Sequence, residues 1–440
     1  MRFLKFSFIT IIALFGILVT VYFTMPWKIW VAGLARDKLQ AMNIPVSDFK
    51  ITDISVTGIK ISDLRIDMKP EILIPDINIS YDIKEAANLN FDTIELGSFT
   101  YIIRSGDKPS DEQGDIFKKI PSPDIFAKIP FKTIRADEIR IIYKDKKHIT
   151  ANFIINAEIN TESRSLTAAL KSGSILANNR SYNIEGAVLS LTSGNPAQEP
   201  FYFIDAAINK ISLDKNERNP LVWLPVSLSA KGSLASSGLE LKINAKHKMF
   251  TLKGILASNN TGTYAKNIKA DIAEGSLSVA KLPLDKKNFE TKVNINSVSL
   301  EKLLKFVLKD DETVKATGNI SGTIPIIKNS KGFSFEGANM YNLTDGVLSL
   351  SEKHLGALPQ NVEQVKNTSD LLKNFMYDDL KLITQRHDGK LEIGAKLRGN
   401  NPKVYNGAVV NLNINFRGDV IESVSSILGL DDISQYKQNR

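Results

Sequence analysis

The sequence predicts a mainly β protein, in which an N-terminal transmembrane helix precedes an elongated antiparallel sheet with a few short helices. Three observations predict this class. Residues 6–27 are an uncharged, strongly apolar run. From residue 46 almost to the end, short segments alternate between apolar and polar positions and are separated by turns rich in Gly, Pro and Asn. Helical periodicity is confined to a few short segments.

The apolar run at 6–27 is long enough to cross a bilayer, which takes about 20 residues as a helix. Tyr22, Trp27 and Trp30, residues suited to a membrane interface, lie around its C-terminal end, and it lacks a small-residue cleavage site. We therefore interpret it as an uncleaved signal anchor. Arg2 and Lys5 precede it, so we expect the long C-terminal part to be translocated.

The composition is that of a folded protein that does not bind nucleic acid. Of 440 residues, 43% are hydrophobic and 24% charged, and the net charge of +8 is only mildly basic. The lysines are scattered, and the densest run, at 144–148, is typical of a solvated turn. The chain has no cysteine, which excludes disulfides, thiolate metal sites and a cysteine nucleophile.

Alternation is clearest in residues 398–420. Val410, Leu412, Ile414 and Phe416 fall on one face of a strand, and asparagines fall on the other. An apolar strand face of this kind either lines a groove or packs on an ordinary hydrophobic core. The same alternation recurs at several places: Ile77, Ile79, Tyr81 and Ile83; Ile139, Ile141 and Tyr143; Phe153, Ile155, Ala157 and Ile159; Leu239, Leu241 and Ile243; Leu391, Ile393, Ala395 and Leu397.

Three segments predict helices. Ser299 is a suitable N-cap for a helix with an apolar stripe through Leu300, Leu303, Leu304 and Val307. Shorter candidates lie at 369–375 and 420–430. We expect each of them to cover part of a sheet rather than to bind a ligand.

No catalytic constellation is visible. The four histidines, at 148, 247, 354 and 387, have no second histidine at metal-ligand spacing. There is no nucleophile elbow, phosphate loop or dinucleotide fingerprint. Asp310 and Asp311 are adjacent, as are Asp378 and Asp379, so on a strand each pair would point to opposite faces. We predict that the protein is not an enzyme, with no catalytic residues, no metal and no cofactor.

Residues 316–350 and 371–420 carry an ordered set of motifs. These are G-x-x-S-G-x-I-P at Gly318 to Pro325, N-F-x-Y-x-x-L at Asn374 to Leu380, L-x-G-x-N-P at Leu397 to Pro402, and N-G-x-x-V-x-L-N at Asn406 to Asn413. The region resembles the C-terminal module of the YdbH family, which is similar to the AsmA-like group that also contains TamB. Residues 46–104 resemble the opening of such proteins more loosely.

The resemblance implies a Gram-negative periplasmic protein, single-pass in the inner membrane, that conducts phospholipids between the inner and outer membranes. It implies that the antiparallel sheet curves into a trough (β-taco-like) with an apolar floor for acyl chains. The candidate groove residues are Ile77, Ile79, Tyr81, Ile83, Ile141, Tyr143, Phe153, Ile155, Leu241, Ile243, Ile393, Leu397, Val410, Leu412, Ile414 and Phe416.

We expect a stub and anchor over 1–27, a membrane-proximal amphipathic helix over 28–45, a periplasmic β-trough over 46–312, a YdbH-like module over 313–430 and a polar tail over 431–440. An open trough leaves an unpaired last strand, which invites strand addition. The resemblance suggests an outer-membrane lipoprotein as the partner. The alternative function is an anchored periplasmic scaffold or assembly factor acting through protein contacts only.

Overall fold

The computed structural model describes most of the chain beyond residue 46. The described residues are 32–33, 36–37, 46–66, 72–82, 84, 91–104, 126, 129, 131–144, 149–177, 180–194, 202–214, 224–235, 237–308, 314–329, 332–351, 363–387 and 390–417. The predicted anchor at 6–27 and the predicted helix at 420–430 lie outside them. Within the described ranges, no helix is long and apolar enough to span a membrane.

The mainly β class is confirmed. The described ranges contain 24 β-strands and two α-helices, besides a 3-10 turn and short helical fragments. Of the amphipathic helix expected over 28–45, only Ala32, Gly33, Arg36 and Asp37 are described, and all four are helical. Ala32 is buried and belongs to a small apolar cluster with Val46 and Phe49.

The chain divides into two compact units. The first comprises residues 1–112 and 124–173, and the second comprises 113–123 and 174–440. Strands of the first unit are β1 (Val46–Ile54), β2 (Gly58–Ile66), β3 (Ile72–Ser80), β4 (Phe91–Leu96), β5 (Phe99–Arg104), β6 (Phe131–Lys144), β7 (Thr150–Asn160) and most of β8 (Ser165–Ala177).

One pairing in the first unit departs from the predicted antiparallel order. β1 to β4 pair in sequence and β6 pairs with β7, all antiparallel. However, β4 and β5 both pair with β6 in parallel. A parallel return needs a connection of a dozen or more residues, and residues 105–130 provide one between β5 and β6.

The second unit continues the strand-and-turn pattern. Its elements after β8 are β9 (Arg180–Ser193), β10 (Tyr202–Leu213), β11 (Val226–Ala235), β12 (Gly238–Lys246), β13 (Phe250–Asn259), β14 (Gly262–Ile272), β15 (Gly275–Pro283), β16 (Phe289–Ser299), α1 (Leu300–Leu308), β17 (Val314–Ala316), β18 (Asn319–Asn329), β19 (Gly332–Ser334), β20 (Asn339–Asn342), β21 (Gly346–Leu350), α2 (Glu363–Leu372), β22 (Phe375–His387), β23 (Lys390–Asn400), the 3-10 turn (Tyr405–Gly407) and β24 (Val410–Arg417).

Strands β9 to β16 form an antiparallel meander, and β16 then pairs with β18. Tight turns set the register. Ala273 and Glu274 both adopt positive φ (49° and 63°) between the paired residues Ile272 and Gly275. Positive φ at both central residues is the geometry of the two-residue turn that matches the twist of a hairpin.

The C-terminal part of the second unit encloses a buried core. The order continues from β18 through β20, β22 and β23 to β24, while β21 pairs with β17 and β22. Phe375 is fully buried at 0% exposure, together with Val298, Leu371 and Leu397. Leu300 and Leu303 of α1 pack against this core, so the expectation that α1 covers a sheet is confirmed.

The second predicted helix is shifted. The sequence predicts it over 369–375, whereas α2 spans Glu363–Leu372 and Phe375 begins β22. Phe375 is in a strand rather than in the predicted helix because the extended backbone directs its ring into the core. Burying a phenylalanine side chain there contributes roughly 1.5–3 kcal/mol to stability.

Candidate functional site

One face of β10 to β13 carries a contiguous apolar patch, and we call this patch the apolar floor. Residues directly opposite each other in adjacent strands share a face, so the register defines its members. They are Ile204, Ala206, Ile208, Leu228, Ala230, Gly232, Leu241, Ile243, Ala245, Leu252, Gly254 and Leu256.

The opposite face of the same strands is polar. Lys231 Nζ lies 2.6 Å from Asp205 Oδ2 on the adjacent strand β10. Lys266 Nζ of β14 lies 2.8 Å from Glu240 Oε2 of β12, so this ion pair reaches across β13. Lys242 is exposed on this face. The sheet therefore has one side with cross-strand ion pairs and an opposite side whose central patch, the apolar floor, carries only hydrocarbon.

The apolar floor is incompletely buried. Leu228 is 36% exposed, and Ile208, Ile243 and Leu252 are half-buried. In a closed core such side chains are covered by a second layer, as Phe375 is. A concave cavity of about 270 Å³ lies against the floor and is lined almost entirely by apolar atoms.

The chemistry of this cavity suits hydrocarbon. Its lining includes Ile208, Leu228, Ile243, Ala245 and Leu252, and no charged residue. An apolar cavity of about 150 Å³ already admits a molecule the size of benzene, so this one has room for a longer alkyl segment. Each methylene buried there contributes about 0.8 kcal/mol.

A single cross-strand row connects the floor to the C-terminal core. Its members are directly paired from β10 to β16, without interruption by a polar residue: Ile208, Leu228, Ala245, Leu252, Ala270, Leu277 and Ile295. Ile295 is buried and Leu277 packs against the core. The same apolar face thus passes from partly exposed to enclosed along the sheet.

Helix α1 lies where the face becomes enclosed. The Phe306 ring centroid is 5.8 Å from that of His247 and 6.3 Å from that of Phe250, both edge-on. His247 Nδ1 accepts a hydrogen bond from the Met249 amide at 3.1 Å, so its proton resides on Nε2. Burial, with a contribution from Lys248, lowers the pKa of His247 below its usual value.

This arrangement predicts that acid loosens α1. Since the folded-state pKa of His247 is depressed, the unfolded state binds more protons below about pH 6.5, and stability falls as the pH drops through that value. We expect the protection factors of the α1 amides, corrected for the intrinsic pH dependence of exchange, to fall as the pH drops from about 7.5 to about 5.5. His247→Phe keeps an aromatic ring but cannot titrate, so this variant should lose the change. An equal pH response in His247→Phe would contradict the assignment.

Residues of the motifs that carry the family resemblance lie in the C-terminal core. Tyr377 is buried, and its hydroxyl donates to the Thr317 carbonyl at 2.5 Å. Burial raises the pKa of Tyr377 to about 12. Gly318 has φ +96°, and a Cβ on Gly346 would overlap the Tyr377 ring. The motif residues Gly318 and Tyr377 therefore contribute to the packing of this core, and Gly346 makes room for the Tyr377 ring.

Asn401 anchors the loop that precedes β24. It is 2% exposed, and its Nδ2 donates to the carbonyls of Asp370 and Leu371 at 3.0 and 3.2 Å, which satisfies the end of α2. Its Oδ1 accepts from the Lys403 amide at 3.1 Å. Asn401 of the motif therefore links the end of α2 to the loop between β23 and β24.

Among the candidate groove residues of the first unit, Ile77 is buried and Ile79 half-buried. Ile79 is directly opposite Ile59 and Ile94. The Tyr81 hydroxyl donates to the Ser55 carbonyl at 2.8 Å. Ile83 lies outside the described residues.

The other four candidates of this unit lie on β6 and β7. Ile141 is directly opposite Phe153, and Ile139 is opposite Ile155. The candidates Ile141, Phe153 and Ile155 are half-buried, as is Ile139. Tyr143 continues the same alternation and is also half-buried. The structure thus brings Ile141, Phe153 and Ile155 together on one face.

In the second unit, Leu241 and Ile243 belong to the apolar floor, and Ile243 lines the cavity. Leu397 is 3% exposed in the core, and Val410, Leu412 and Ile414 pack against that core while remaining half-buried. Ile393 and Phe416 are directly paired. Their role as groove residues stays a prediction.

Sequence reasoning missed much of the cavity. Ile208, Leu228, Ala230 and Leu252 line it, although none was a candidate. Their strands do alternate, as Ile204, Ala206 and Ile208 illustrate. The alanines and Gly232 weaken the apolar signal of these strands, and only the cross-strand register aligns them with Ile243.

Comparison with known proteins identifies the region that contains the motifs. Residues 256–440 match the YdbH-like family model, described as intermembrane phospholipid transport protein YdbH. The resemblance to the YdbH family is confirmed. No curated protein and no solved structure gives a match. The YdbH-like region comprises the closed core and β14 to β24, whereas the cavity residues lie just before it, between 206 and 252.

Proposed function

We propose that the protein holds phospholipid acyl chains on its apolar floor and conducts them between two membranes. The observation that carries the proposal is the uninterrupted apolar row from Ile208 to Ile295, which is only partly covered by protein at its β10 to β13 end. The YdbH-like match over 256–440 supports phospholipids as the cargo.

The mechanism requires no chemical step. Acyl chains shield the floor from water, while headgroups stay in solvent above the open side. A polar side chain along the row would impose a desolvation barrier on a sliding chain, and the row has none. No cluster suited to hold a metal ion occurs among the described residues.

The location and the partner are parts of the same proposal. Residues 6–27 would anchor the chain in the inner membrane, with the sheet in the periplasm. Within the described ranges, β24 pairs only with β23, which leaves one edge to accept a strand. We propose an outer-membrane lipoprotein as the donor of that strand.

Site-specific photocrosslinking in cells tests the cargo. Ile243 and Lys242 are neighbours on opposite faces of β12, so a photoreactive amino acid at either position samples only one face. We expect phospholipid adducts, detected by mass spectrometry of the full-length protein, at position 243 and not at 242. Adducts at neither position in a folded protein would favour the scaffold function, in which protein contacts fill the floor.

A further inference from the structure

The loop at residues 402–409, between β23 and β24, presents two apolar side chains to water. Tyr405 is 50% and Val409 65% exposed, whereas Val404 packs against the core. The loop is held in place by hydrogen bonds. The Gly407 and Ala408 amides donate to the carbonyls of Val404 and Tyr405, both at 3.0 Å.

The backbone of this loop is strained at the exposed tyrosine. Tyr405 has φ +52° and Asn406 has φ +53°. Glycine and asparagine adopt this conformation readily, whereas an aromatic residue does so only where the surroundings impose it. Because the Tyr405 ring is half exposed, packing in the core does not explain its presence, and strain of this kind marks functional positions.

The chain segment that contains the loop carries basic residues and no carboxylate of its own. From residue 393 to residue 418 the sequence has no Asp or Glu, while Lys396, Arg398, Lys403 and Arg417 are cationic. Arg398 is paired with Asp378 at 2.7 Å. Lys403 lies in the loop itself and is exposed.

We propose that the 402–409 loop inserts Tyr405 and Val409 into the interface of an anionic phospholipid bilayer. A tyrosine ring suits the headgroup level, where its hydroxyl stays hydrated. Lys403 lies beside it, and basic residues near a membrane surface are attracted to anionic lipids. The exposed side chains of the loop include one aromatic, one aliphatic and one cationic residue, a combination that suits the surface of an anionic bilayer. This inference stands on the loop alone and does not require the groove.

An environment-sensitive fluorophore tests insertion. Because the chain has no cysteine, Ala408→Cys gives a single labelling site in the exposed loop. The full chain, held in nanodiscs, is mixed with separate vesicles of phosphatidylethanolamine and phosphatidylglycerol. We expect the label at 408 to shift to the blue and to be quenched by nitroxide lipids in those vesicles. The matched label at Val56→Cys, 68% exposed in the first unit, should remain in water.

Two variants separate insertion from folding. Tyr405→Gly relieves the positive φ, so it should fold at least as well as the native chain, yet vesicle association should weaken about fivefold. Val409→Asn should act similarly, and Val56→Asn should have no effect. A label at 408 that stays in water, or Tyr405→Gly with native vesicle association, would overturn the proposal. So would a shift that occurs only when vesicles carry membrane proteins, since the surface would then bind protein.

Discussion

Leu228→Glu is expected to abolish lipid occupancy while leaving the protein folded. Leu228 is 36% exposed and lines the cavity on the apolar floor. Without lipid, a carboxylate at this position stays hydrated, so the free energy of unfolding should change by no more than about 0.5 kcal/mol. An acyl chain would have to bury that carboxylate, and burying an unpaired charge is far more costly than a tenfold loss of affinity.

The matched control is Phe203→Glu. Phe203 is also an exposed apolar residue, at 53%, and lies on the neighbouring strand, but its side chain is on the polar face. Phospholipid adducts at position 243 should fall more than about tenfold in Leu228→Glu and stay at the native level in Phe203→Glu. If Leu228→Glu instead unfolds the second unit, the floor is an ordinary core and the conduit proposal fails.

Phe375→Ala is expected to produce the largest loss of stability. Phe375 is completely buried where α2, β22 and β23 meet. Removing a buried phenylalanine ring leaves a cavity that the surrounding side chains only partly fill, which costs about 3–5 kcal/mol. The effect should be local to the YdbH-like core, because the cavity residues at 206–252 are not members of the cluster that surrounds this ring.

Hydrogen exchange measured by mass spectrometry can localise the loss. Protection should fall strongly in β22 and β23 and much less in β10 and β11. Met376→Ala is the control, because Met376 is the next residue along β22 and is 45% exposed. It should cost no more than about 0.5 kcal/mol. Equal losses in the two variants would show that Phe375 is not a central packing residue.

Local sequence patterns were enough to predict individual strands. Alternation along β24 predicted that Val410, Leu412 and Ile414 share a face, and the structure has them half-buried while Asn411 and Asn413 are exposed. Ser299 predicted the start of α1, and its Oγ accepts from the Lys302 amide at 3.4 Å. Such features depend on residues close in the chain, so periodicity and capping reveal them.

Local sequence patterns could not predict the pairings between strands that are distant in the chain. Nothing in residues 91–104 indicates that β4 and β5 pair in parallel with β6, because these pairings join segments that are distant in the chain. The residues of one strand also do not indicate whether its apolar face is covered by another part of the chain. Leu397 and Ile243 occupy equivalent positions in alternating strands, yet Leu397 is buried in a core and Ile243 borders a cavity.

The sequence by itself determined the mainly β class, the apolar faces of several strands, the absence of thiol chemistry and the resemblance over the motifs. The tertiary structure alone decided which faces are enclosed and which remain partly open. It also assigned the motif residues around Tyr377 and Asn401 to packing and anchoring. The physical reason is that alternation fixes which side of a strand is apolar, whereas burial depends on what other part of the chain lies over that side.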